Sequence, residues 1–358
     1  MHLEDVLVPP AKITTEKWQL GSLVHSEIKE GGLVLIFCTD YRGAAISAAI
    51  NADFTGVRQE LYQLSKLDFT LPICDLGDLI SGKTIQDTHY ILEEIVTTCL
   101  QKNALPIIIG GSNELAYPLY SALNAYRKNL QYTQVSNIVS LGDQGGDVDE
   151  LNFLSRIFSS KHFTLKNYHH LAYQKHLNET NSVKLMKEVD FEVKRLADMM
   201  NTTEHTEPYF RRADLVTVNC DAVESFSEPF SVHPQVNGLN RREICAYMKE
   251  AGLSDRLLAT GIFNYHPTQK NQLNQQLLAQ MIWYLVEGIN IQRSHPKERK
   301  YETFWVLVED EQYAFQRDTF TGLWYFGADE NPEKLMPCAP QDYEAAKRGR
   351  LNARFFKT

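Results

Sequence analysis

Two aspartates stand four positions apart in the stretch SLGDQGGDVD, where Asp143 and Asp147 follow an apolar run and are separated by glycines. Carboxylate oxygens at this spacing are suited to hold a hard divalent cation. Transition-metal sites usually contain imidazole ligands as well, but the residue midway between the two aspartates is Gly145. The stretch therefore predicts either a cation site or the remnant of one.

Other polar residues occupy the predicted ends of strands elsewhere in the chain. Asn113 follows the apolar stretch LPIIIGGS, Asn219 and Asp221 lie in VTVNCDAVE, and Asn264 lies in FNYHP. In parallel α/β sheets, ligands bind beyond the carboxyl ends of the strands. We therefore expect these four residues and the aspartates of SLGDQGGD to line one concave site.

Short apolar strands alternate with amphipathic helices along most of the chain. The stretches LVLIFC, LPIIIG, SNIVSLGD, DLVTVNC and LLATGIF predict strands, whereas SVKLMKEVDFEVKRLADMM predicts one helix and FSSKHFTLKNYHH predicts irregular structure. This alternation predicts an α/β fold with a doubly wound, mainly parallel sheet between two layers of helices. Residues 1–290 would form this domain, and the aromatic-rich residues 291–358 would form an antiparallel extension packed on it.

The composition of the 358 residues argues against several classes of function. The formal charge of −9 disfavours non-specific nucleic-acid binding, which needs a cationic surface. No apolar run reaches the length of about 18 residues that a membrane-spanning helix requires. The six cysteines include no CxxC pair, which indicates buried reduced thiols in a cytoplasmic protein.

The order of the strand-end motifs resembles that of the ureohydrolases, the family of arginase, agmatinase and formimidoylglutamase. The resemblance is carried by DLGDL, IIIGGSNE, SLGDQGGD, VTVNCDAVE, GLNRRE and FNYHP, which span roughly residues 30–290. Formimidoylglutamases are the most similar members. Membership would imply the arginase type of α/β fold, a homo-oligomer, and two manganese ions held by two histidines and four aspartates. The metal pair would activate a hydroxide that attacks the carbon of an amidine or guanidine.

Carried over position by position, the ligand set that the resemblance implies is incomplete. Its six positions fall on Asn113, Asp143, Gly145, Asp147, Asn219 and Asp221. Three carboxylates remain and no imidazole does, and the glutamate that contacts substrate in the family falls on Asn264. The remaining oxygen donors suit one Mg²⁺ or Ca²⁺ better than a manganese pair. We therefore expect no bound metal pair.

Converging carboxylates without an ion would repel one another. Each pair at 4 Å costs about 4 kcal/mol at an effective dielectric constant of 20. A raised carboxyl pKa or a nearby cationic side chain would relieve this repulsion. The candidate cations are Arg211, Arg212, Arg241 and Arg242.

Further residues are candidates for contact with a substrate or a metal. His169 and His170 lie where the resemblance places a substrate loop, and Glu224 lies where the family has the third aspartate of its later motif. His266 replaces part of a family Asn-Pro pair and is a candidate replacement ligand, as is His233. The candidates for contact with a substrate are therefore His169, His170, Glu224 and Asn264.

Two hypotheses of function follow from these observations. The first is a ureohydrolase-fold protein with a depleted dimanganese centre, non-catalytic as a hydrolase, that serves as a binding or scaffold protein. Its partner would be a small amidine or amino-acid-like ligand, or another protein, and not nucleic acid or a membrane. The alternative is a manganese-dependent hydrolase of linear amidine, formimino or guanidino C–N bonds with a rearranged ligand set.

Overall fold

Continuous apolar runs form the strands at the centre of the fold. The computed structural model describes residues 3–44, 50–200, 203–226, 228–267, 271–329 and 331–356. The runs LVLIFC, LPIII and ATGIF are strands in which every residue is buried. A strand that is apolar on both faces is stable where helices cover both sides of a parallel sheet.

The described residues contain strands of two to nine residues and α-helices of four to 23 residues. The strands are β1 Leu7–Val8, β2 Val24–His25, β3 Leu33–Cys38, β4 Ile73–Leu79, β5 Leu105–Ile109, β6 Leu130–Val135, β7 Leu165–Tyr173, β8 Glu192–Arg195, β9 Leu215–Asn219, β10 Ala259–Phe263, β11 Tyr301–Val308, β12 Glu311–Asp318, β13 Trp324–Phe326 and β14 Met336–Cys338. The helices are α1 Thr55–Gln63, α2 Ile85–Gln101, α3 Ala116–Tyr126, α4 Phe153–Ser159, α5 Thr180–Glu188, α6 Leu196–Met199, α7 Thr203–Thr206, α8 Arg241–Gly252, α9 Gln272–Ser294 and α10 Pro340–Ala346.

The main sheet has the strand order β1-β4-β3-β5-β10-β9-β6-β7-β8, with β2 beside β4. β1 pairs antiparallel with β4, whereas the pairs from β4 to β8 are parallel. The chain leaves β5 and enters β6 across a gap that β9 and β10 fill later. Ligands bind at such a switch point in parallel sheets, so a site is expected at the carboxyl ends of these four strands.

Helices cover both faces of this sheet. Successive residues of a strand point to opposite faces, and in β3 Leu35 and Phe37 join one apolar core while Val34 and Ile36 join the other. The first core includes α1, α8 and α9, and the second includes α2, α3 and α4. The predicted doubly wound α/β fold is confirmed.

Three segments differ from their predicted structure. The strand predicted at SNIVSLGD is instead Leu130–Val135, and residues 136–152 lie outside helices and strands. The second half of FSSKHFTLKNYHH is not irregular, because it enters β7 and pairs with β6 and β8. The single helix predicted at SVKLMKEVDFEVKRLADMM is divided into α5, β8 and α6, since Asp190 takes the left-handed conformation (φ 62°) and ends the helical path.

The C-terminal residues form a separate four-stranded antiparallel sheet in the order β11-β12-β13-β14. It has its own apolar core, in which Phe315 is fully buried against Val306, Cys338 and Phe355. The predicted antiparallel extension is confirmed. Helix α9 continues to Ser294, so the predicted boundary after residue 290 falls within its last turn, and the division into two domains stays a prediction.

All six cysteines are free and buried, as predicted. Among the described residues, no helix combines the length and the apolar character that crossing a membrane would require.

Candidate functional site

The ends of β5 and β10 meet at Asn264, the residue that follows β10. Asn264 is fully buried and has a φ of 57°. Its backbone amide donates to the carbonyl of Gly111 beyond β5, and its carbonyl accepts from the amide of Val232, both at 2.8 Å. Asparagine adopts the left-handed conformation more readily than most residues, so the residue type suits this turn.

The Asn264 carboxamide joins three segments of the chain. Its Nδ2 donates to Asp221 Oδ2 at 2.7 Å and to Glu150 Oε2 at 2.9 Å. Its Oδ1 accepts from the backbone amide of Asn113 at 2.9 Å. One neutral side chain therefore supplies hydrogen bonds to two buried carboxylates and ties them to the end of β5.

His233 contacts the same two carboxylates from the loop between β9 and α8. Its backbone amide donates to Asp221 Oδ1 at 3.0 Å, and its Nε2 donates to Glu150 Oε1 at 2.7 Å. Glu150, Asp221, His233 and Asn264 thus form a closed hydrogen-bonded set, here named the Asn264 cluster.

Burial and mutual contact change the protonation of this cluster. Burial raises the pKa of Asp221 to about 6, and the contacts with Asn264 and His233 oppose this rise. The hydrogen bond to Glu150 raises the pKa of His233 above its ordinary value, against the effect of burial. The cluster therefore favours a protonated His233 beside two carboxyl groups, of which Asp221 loses its proton at a higher pH than an ordinary aspartate.

Glu114 adds a third carboxyl group beside the cluster. Ser112 donates to Glu114 Oε1 at 2.8 Å, and a Cβ built on Gly43 would lie 2.0 Å from the Glu114 carboxyl carbon. Burial raises the pKa of Glu114 to about 8, with repulsion from Glu150 and Asp40 contributing. At neutral pH this group is mostly protonated, which limits the negative charge of the site.

One of the predicted means of relieving carboxylate repulsion is present, because the carboxyl pKa values of Asp221 and Glu114 are raised. The basic side chain that contacts these carboxylates is His233, whose pKa is raised, rather than one of the four candidate arginines. Arg211 and Arg212 donate to carbonyls of the C-terminal extension, while Arg241 and Arg242 begin α8. His233 can reduce the repulsion between the carboxylates because its ring nitrogen lies 2.7 Å from Glu150 Oε1.

Asp143 and Asp147 are not brought to the strand ends. Both side chains are exposed, and Asp147 accepts a hydrogen bond from Gln86 Nε2 at 2.5 Å. The prediction that Asp143 ends a strand is wrong because β6 already ends at Val135. Neither aspartate belongs to a group of three potential metal ligands among the described residues.

Ser136 takes the place beside Asn219 that Asp143 was expected to hold. β6 and β9 are in register through the pair Val135 and Val218, so the next positions are Ser136 and Asn219. Asn219 Nδ2 donates to Ser136 Oγ at 3.4 Å, and its Oδ1 accepts from the backbone amide of Asp221 at 2.9 Å. Asn219 therefore acts as a local cap that holds Asp221 in place.

Asn113 lies at the site, but only its backbone is bonded to the cluster. Its side-chain Oδ1 and Nδ2 are buried without a hydrogen-bond partner among the described residues. Two unpartnered polar atoms in a buried position are commonly met by water. The predicted strand-end residues Asn113, Asn219, Asp221 and Asn264 are thus brought together, and their role as metal ligands stays a prediction.

The remaining histidine candidates occupy other places. His170 is fully buried in β7, where its ring contacts Ser136 O at 3.1 Å and Tyr168 Oη at 2.9 Å. His169, on the same strand, contacts Tyr209 O at 3.0 Å. Burial lowers the pKa of both histidines to about 4. Both histidines are therefore neutral at pH 7 and lie on a strand instead of the expected loop, and their role in substrate contact stays a prediction.

Glu224 and His266 also lie outside the cluster. Glu224 lines a surface cavity together with Asn240 and Arg241. His266 Nδ1 is buried without a hydrogen-bond partner, and His266 is absent from the group of potential ligands around Asp221 in the described part of the chain. The imidazole that the fold brings to Asp221 is that of His233.

The donor set does not fit the metal pair that the resemblance implies. Among the described residues, the group of three metal-ligating side chains within 4.8 Å of one another is Glu150, Asp221 and His233. Two hard cations need about six donors each. Moreover, the Asn264 side chain points its NH2 group, and not its oxygen, toward both carboxylates. The Nε2 atom of His233 is hydrogen-bonded to Glu150 and is therefore not free to bind a metal.

Sequence reasoning missed Glu150 and Glu114. Glu150 lies in an irregular segment, so no strand-end pattern identifies it, and its approach to Asn264 depends on the path of the whole loop. Glu114 did leave a local signal, because it is a charged residue directly followed by the apolar helix that begins LAYPL. An acidic side chain at such a position is rarely buried without a role in a polar site.

Comparisons with known proteins agree with this architecture. The arginase family model matches residues 46–287. The crystal structure of formiminoglutamase from Trypanosoma cruzi with Mn²⁺ has a TM-score of 0.68 at 19% identity, covering 78% of this chain and 99% of that chain.

Two further solved structures are similar. Formimidoylglutamase from Bacillus subtilis has a TM-score of 0.66 at 16% identity, covering 76% of this chain and 92% of its own. Proclavaminate amidino hydrolase from Streptomyces clavuligerus has a TM-score of 0.65 at 15% identity, covering 79% of this chain and 98% of its own. No curated protein matches the chain in sequence. Because the family model matches more than half of the 358 residues, the chain belongs to the arginase family.

Proposed function

We propose that this arginase-family protein does not carry out dimanganese-dependent hydrolysis and instead serves as a binding or scaffold protein, cytoplasmic and homo-oligomeric. Its ligand would be a small amidine or amino-acid-like molecule or a partner protein. The observation that carries the proposal is the closed Asn264 cluster. Its carboxylates are already engaged by protein donors, with the His233–Glu150 contact at 2.7 Å.

Charge supports the same conclusion. Two divalent cations bring a charge of +4, whereas Glu150 and Asp221 together supply at most −2, and Glu114, with its pKa raised to about 8, is mostly neutral at pH 7. The raised pKa of His233 favours a positive charge in the same place. Uncompensated charge in a buried site is strongly unfavourable, so a cation pair would have to expel His233 and would still lack counter-charge.

Limited access supports it as well. Glu150 is 2% exposed, Asp221 1% and Asn264 0%. A hydrolase must bring the carbon of its substrate next to an activated water. In the described structure only the partly exposed His233 connects the cluster to the surface.

Metal analysis of the full chain, expressed and purified with manganese, tests the proposal. We expect far fewer than two ions per chain after exchange into metal-free buffer. A parallel assay with agmatine and formimidoylglutamate should release no urea, formamide or ammonia above the buffer rate. Two tightly bound manganese ions, or metal-dependent turnover of either substrate, would refute the proposal.

The second candidate function is a hydrolase with one metal ion and a rearranged ligand set. It is favoured by the two carboxylates and one imidazole of Glu150, Asp221 and His233, a combination of donors that holds single transition-metal ions. It requires His233 to turn away from Glu150. Calorimetric titration with Mn²⁺, Mg²⁺ and Ca²⁺ distinguishes the candidates, because only this one predicts a single site of micromolar affinity.

A matched pair of variants locates any ion that does bind. Asp221→Ala removes the buried carboxylate, whereas Asp143→Ala removes an exposed carboxylate of the initially predicted ligand set. Loss of ion binding in the first variant alone would support the rearranged site. Loss in the second alone would place the ion at the exposed loop and contradict both candidates.

A further inference from the structure

A cleft of about 530 Å³ lies where the C-terminal extension meets the main domain. The main domain contributes Leu105 at the start of β5 and Leu257 just before β10, and the extension contributes Tyr301 and Tyr325. Parallel strands β5 and β10 therefore reach this cleft with their amino ends, opposite to the Asn264 cluster. A volume of this size accommodates a small organic ligand.

The walls of the cleft carry more positive than negative charge. Its basic residues are Arg212, Arg256, Arg293, His295, Lys297 and Arg299. Its acidic residues are Asp255 and Glu333. Five permanent cations thus face two carboxylates, in a protein whose net formal charge is −9. A concentration of cations against the overall charge of a protein is typical of a site for anions.

Part of this positive charge is compensated from behind. Arg256 pairs with Asp214 and Arg299 pairs with Asp318, each at 3.2 Å, and neither aspartate lines the cleft. Arg293 and Lys297 have no ion pair among the described residues. The Arg293 guanidinium donates to the carbonyl of Gly31, which leaves most of its donors for a ligand.

The positive charge of the cleft affects the protonation of His295. Burial lowers the pKa of His295, and the charge of Arg299 lowers it further. The imidazole is therefore neutral at pH 7 and can donate or accept a hydrogen bond. Beside it, the rings of Tyr301 and Tyr325 meet edge to face with centroids 5.7 Å apart and form an aromatic wall.

We propose that this cleft binds a small phosphate-bearing metabolite of nucleotide size. Guanidinium groups match phosphate oxygens in geometry and charge, and Arg293 and Lys297 supply the unpaired cations. The tyrosine wall offers an apolar surface for the organic part of such a molecule. The family model ends at residue 287, so Arg293, Lys297 and both tyrosines belong to the part of the chain that lies beyond it.

Calorimetric titration of the full chain with ATP, pyrophosphate and adenosine tests the proposal. ATP and pyrophosphate should bind, and adenosine should bind at least about tenfold more weakly than ATP because it lacks the phosphates. The double variant Arg293→Gln/Lys297→Gln should weaken ATP binding by about tenfold or more. The control Lys161→Gln/Arg195→Gln removes the same charge from exposed positions outside the cleft and should change binding less than about twofold.

Lys297→Gln alone keeps the test valid if the double variant fails to fold, because Lys297 is exposed. It should weaken ATP binding by about threefold. Absence of ATP and pyrophosphate binding at millimolar concentration would overturn the proposal. Equal loss in the cleft and control variants, or equal binding of adenosine and ATP, would do so as well, since neither result requires phosphate recognition in the cleft.

Discussion

Strands β5 and β10 carry polar groups at both ends, and the two ends balance their charge in opposite ways. At the carboxyl ends, the carboxylates of Glu150 and Asp221 are matched by His233 and Asn264 within a buried set. At the amino ends, Arg293 and Lys297 line an open cleft and form no ion pair with any residue that the structure describes, whereas Arg256 and Arg299 of the same cleft pair with aspartates. The carboxyl-end site is therefore closed by its own side chains, whereas the amino-end cleft keeps an excess of positive charge, on which the proposed binding of an anion rests.

Of the changes considered, removal of the Asn264 side chain should cause the largest loss of stability. Asn264→Ala removes both donors to the buried carboxylates and places alanine at a φ of 57°. We expect the free energy of unfolding to fall by about 3–5 kcal/mol. Urea denaturation measures it.

Asn103→Ala is the control, because Asn103 has a φ of 52° but is exposed. It should cost only about 1 kcal/mol, from the backbone conformation alone. Equal losses in the two variants would mean that the buried hydrogen bonds of Asn264 contribute nothing.

The pH dependence of stability should be the next largest effect. The pKa of Asp221 rises from 3.8 to about 6 on folding, so the folded state binds its proton more tightly. The corresponding stability is complete below pH 4 and is lost as the pH rises through about 6, amounting to about 3 kcal/mol. Asp221→Asn should therefore flatten the curve of unfolding free energy against pH between 4 and 7.

His233 acts in the same direction at higher pH, because its pKa is also raised. Its contribution is complete below its unfolded pKa and is lost as the pH rises through the folded one. A wild-type protein whose stability rises between pH 4 and 7, relative to Asp221→Asn, would contradict the proposed protonation of the cluster.

A variant that loosens the C-terminal extension should affect the cleft at the amino ends of β5 and β10 and leave the Asn264 cluster unchanged. Arg211 is 3% exposed and donates to Glu207 and to the carbonyls of Trp324 and Cys338. Arg211→Met should cost about 2 kcal/mol and increase hydrogen exchange in β13 and β14 while leaving the end of β10 protected. Arg348→Met, at an exposed position, is the control. Loss of protection at both ends of β10 would show that the two regions are not independent.

The smallest effect is expected at the exposed aspartates. Asp143→Ala and Asp147→Ala should each change the free energy of unfolding by less than about 0.5 kcal/mol, because both side chains are exposed. Urea denaturation of both variants beside Asp221→Ala measures the difference between an exposed and a buried carboxylate. A large loss at Asp143 would mean that this loop closes over the cluster in solution.

The fold could be predicted from the sequence where local patterns determine it. LVLIFC, LPIII and ATGIF are apolar throughout, and only a strand covered on both faces buries them. Strand β6 was not predicted because its sequence LQYTQV is half polar, although Gln131 and Gln134 are buried in the sheet. The apolar stretch that follows it was mistaken for the strand, which moved the expected site by several residues.

The site was only partly predictable for a similar reason. Asn219 ends β9, Asp221 lies two residues beyond it and Asn264 follows β10, so topology alone brings the three together. Glu150 and His233 reach the same place on long irregular segments, and no periodic pattern reports where such segments return. Which basic side chain meets the carboxylates therefore depended on tertiary structure.

The contact between Gly43 and Glu114 has a consequence for how this protein tolerates substitution. Any side chain at position 43 would occupy the space of the Glu114 carboxyl group, since an added Cβ lies 2.0 Å from its carbon. Gly43→Ala is therefore expected to be deleterious alone and to be rescued by Glu114→Ala in the same molecule. The effect of a substitution at position 43 therefore depends on which residue stands at position 114, and a survey of paired substitutions would reveal this dependence where single substitutions would not.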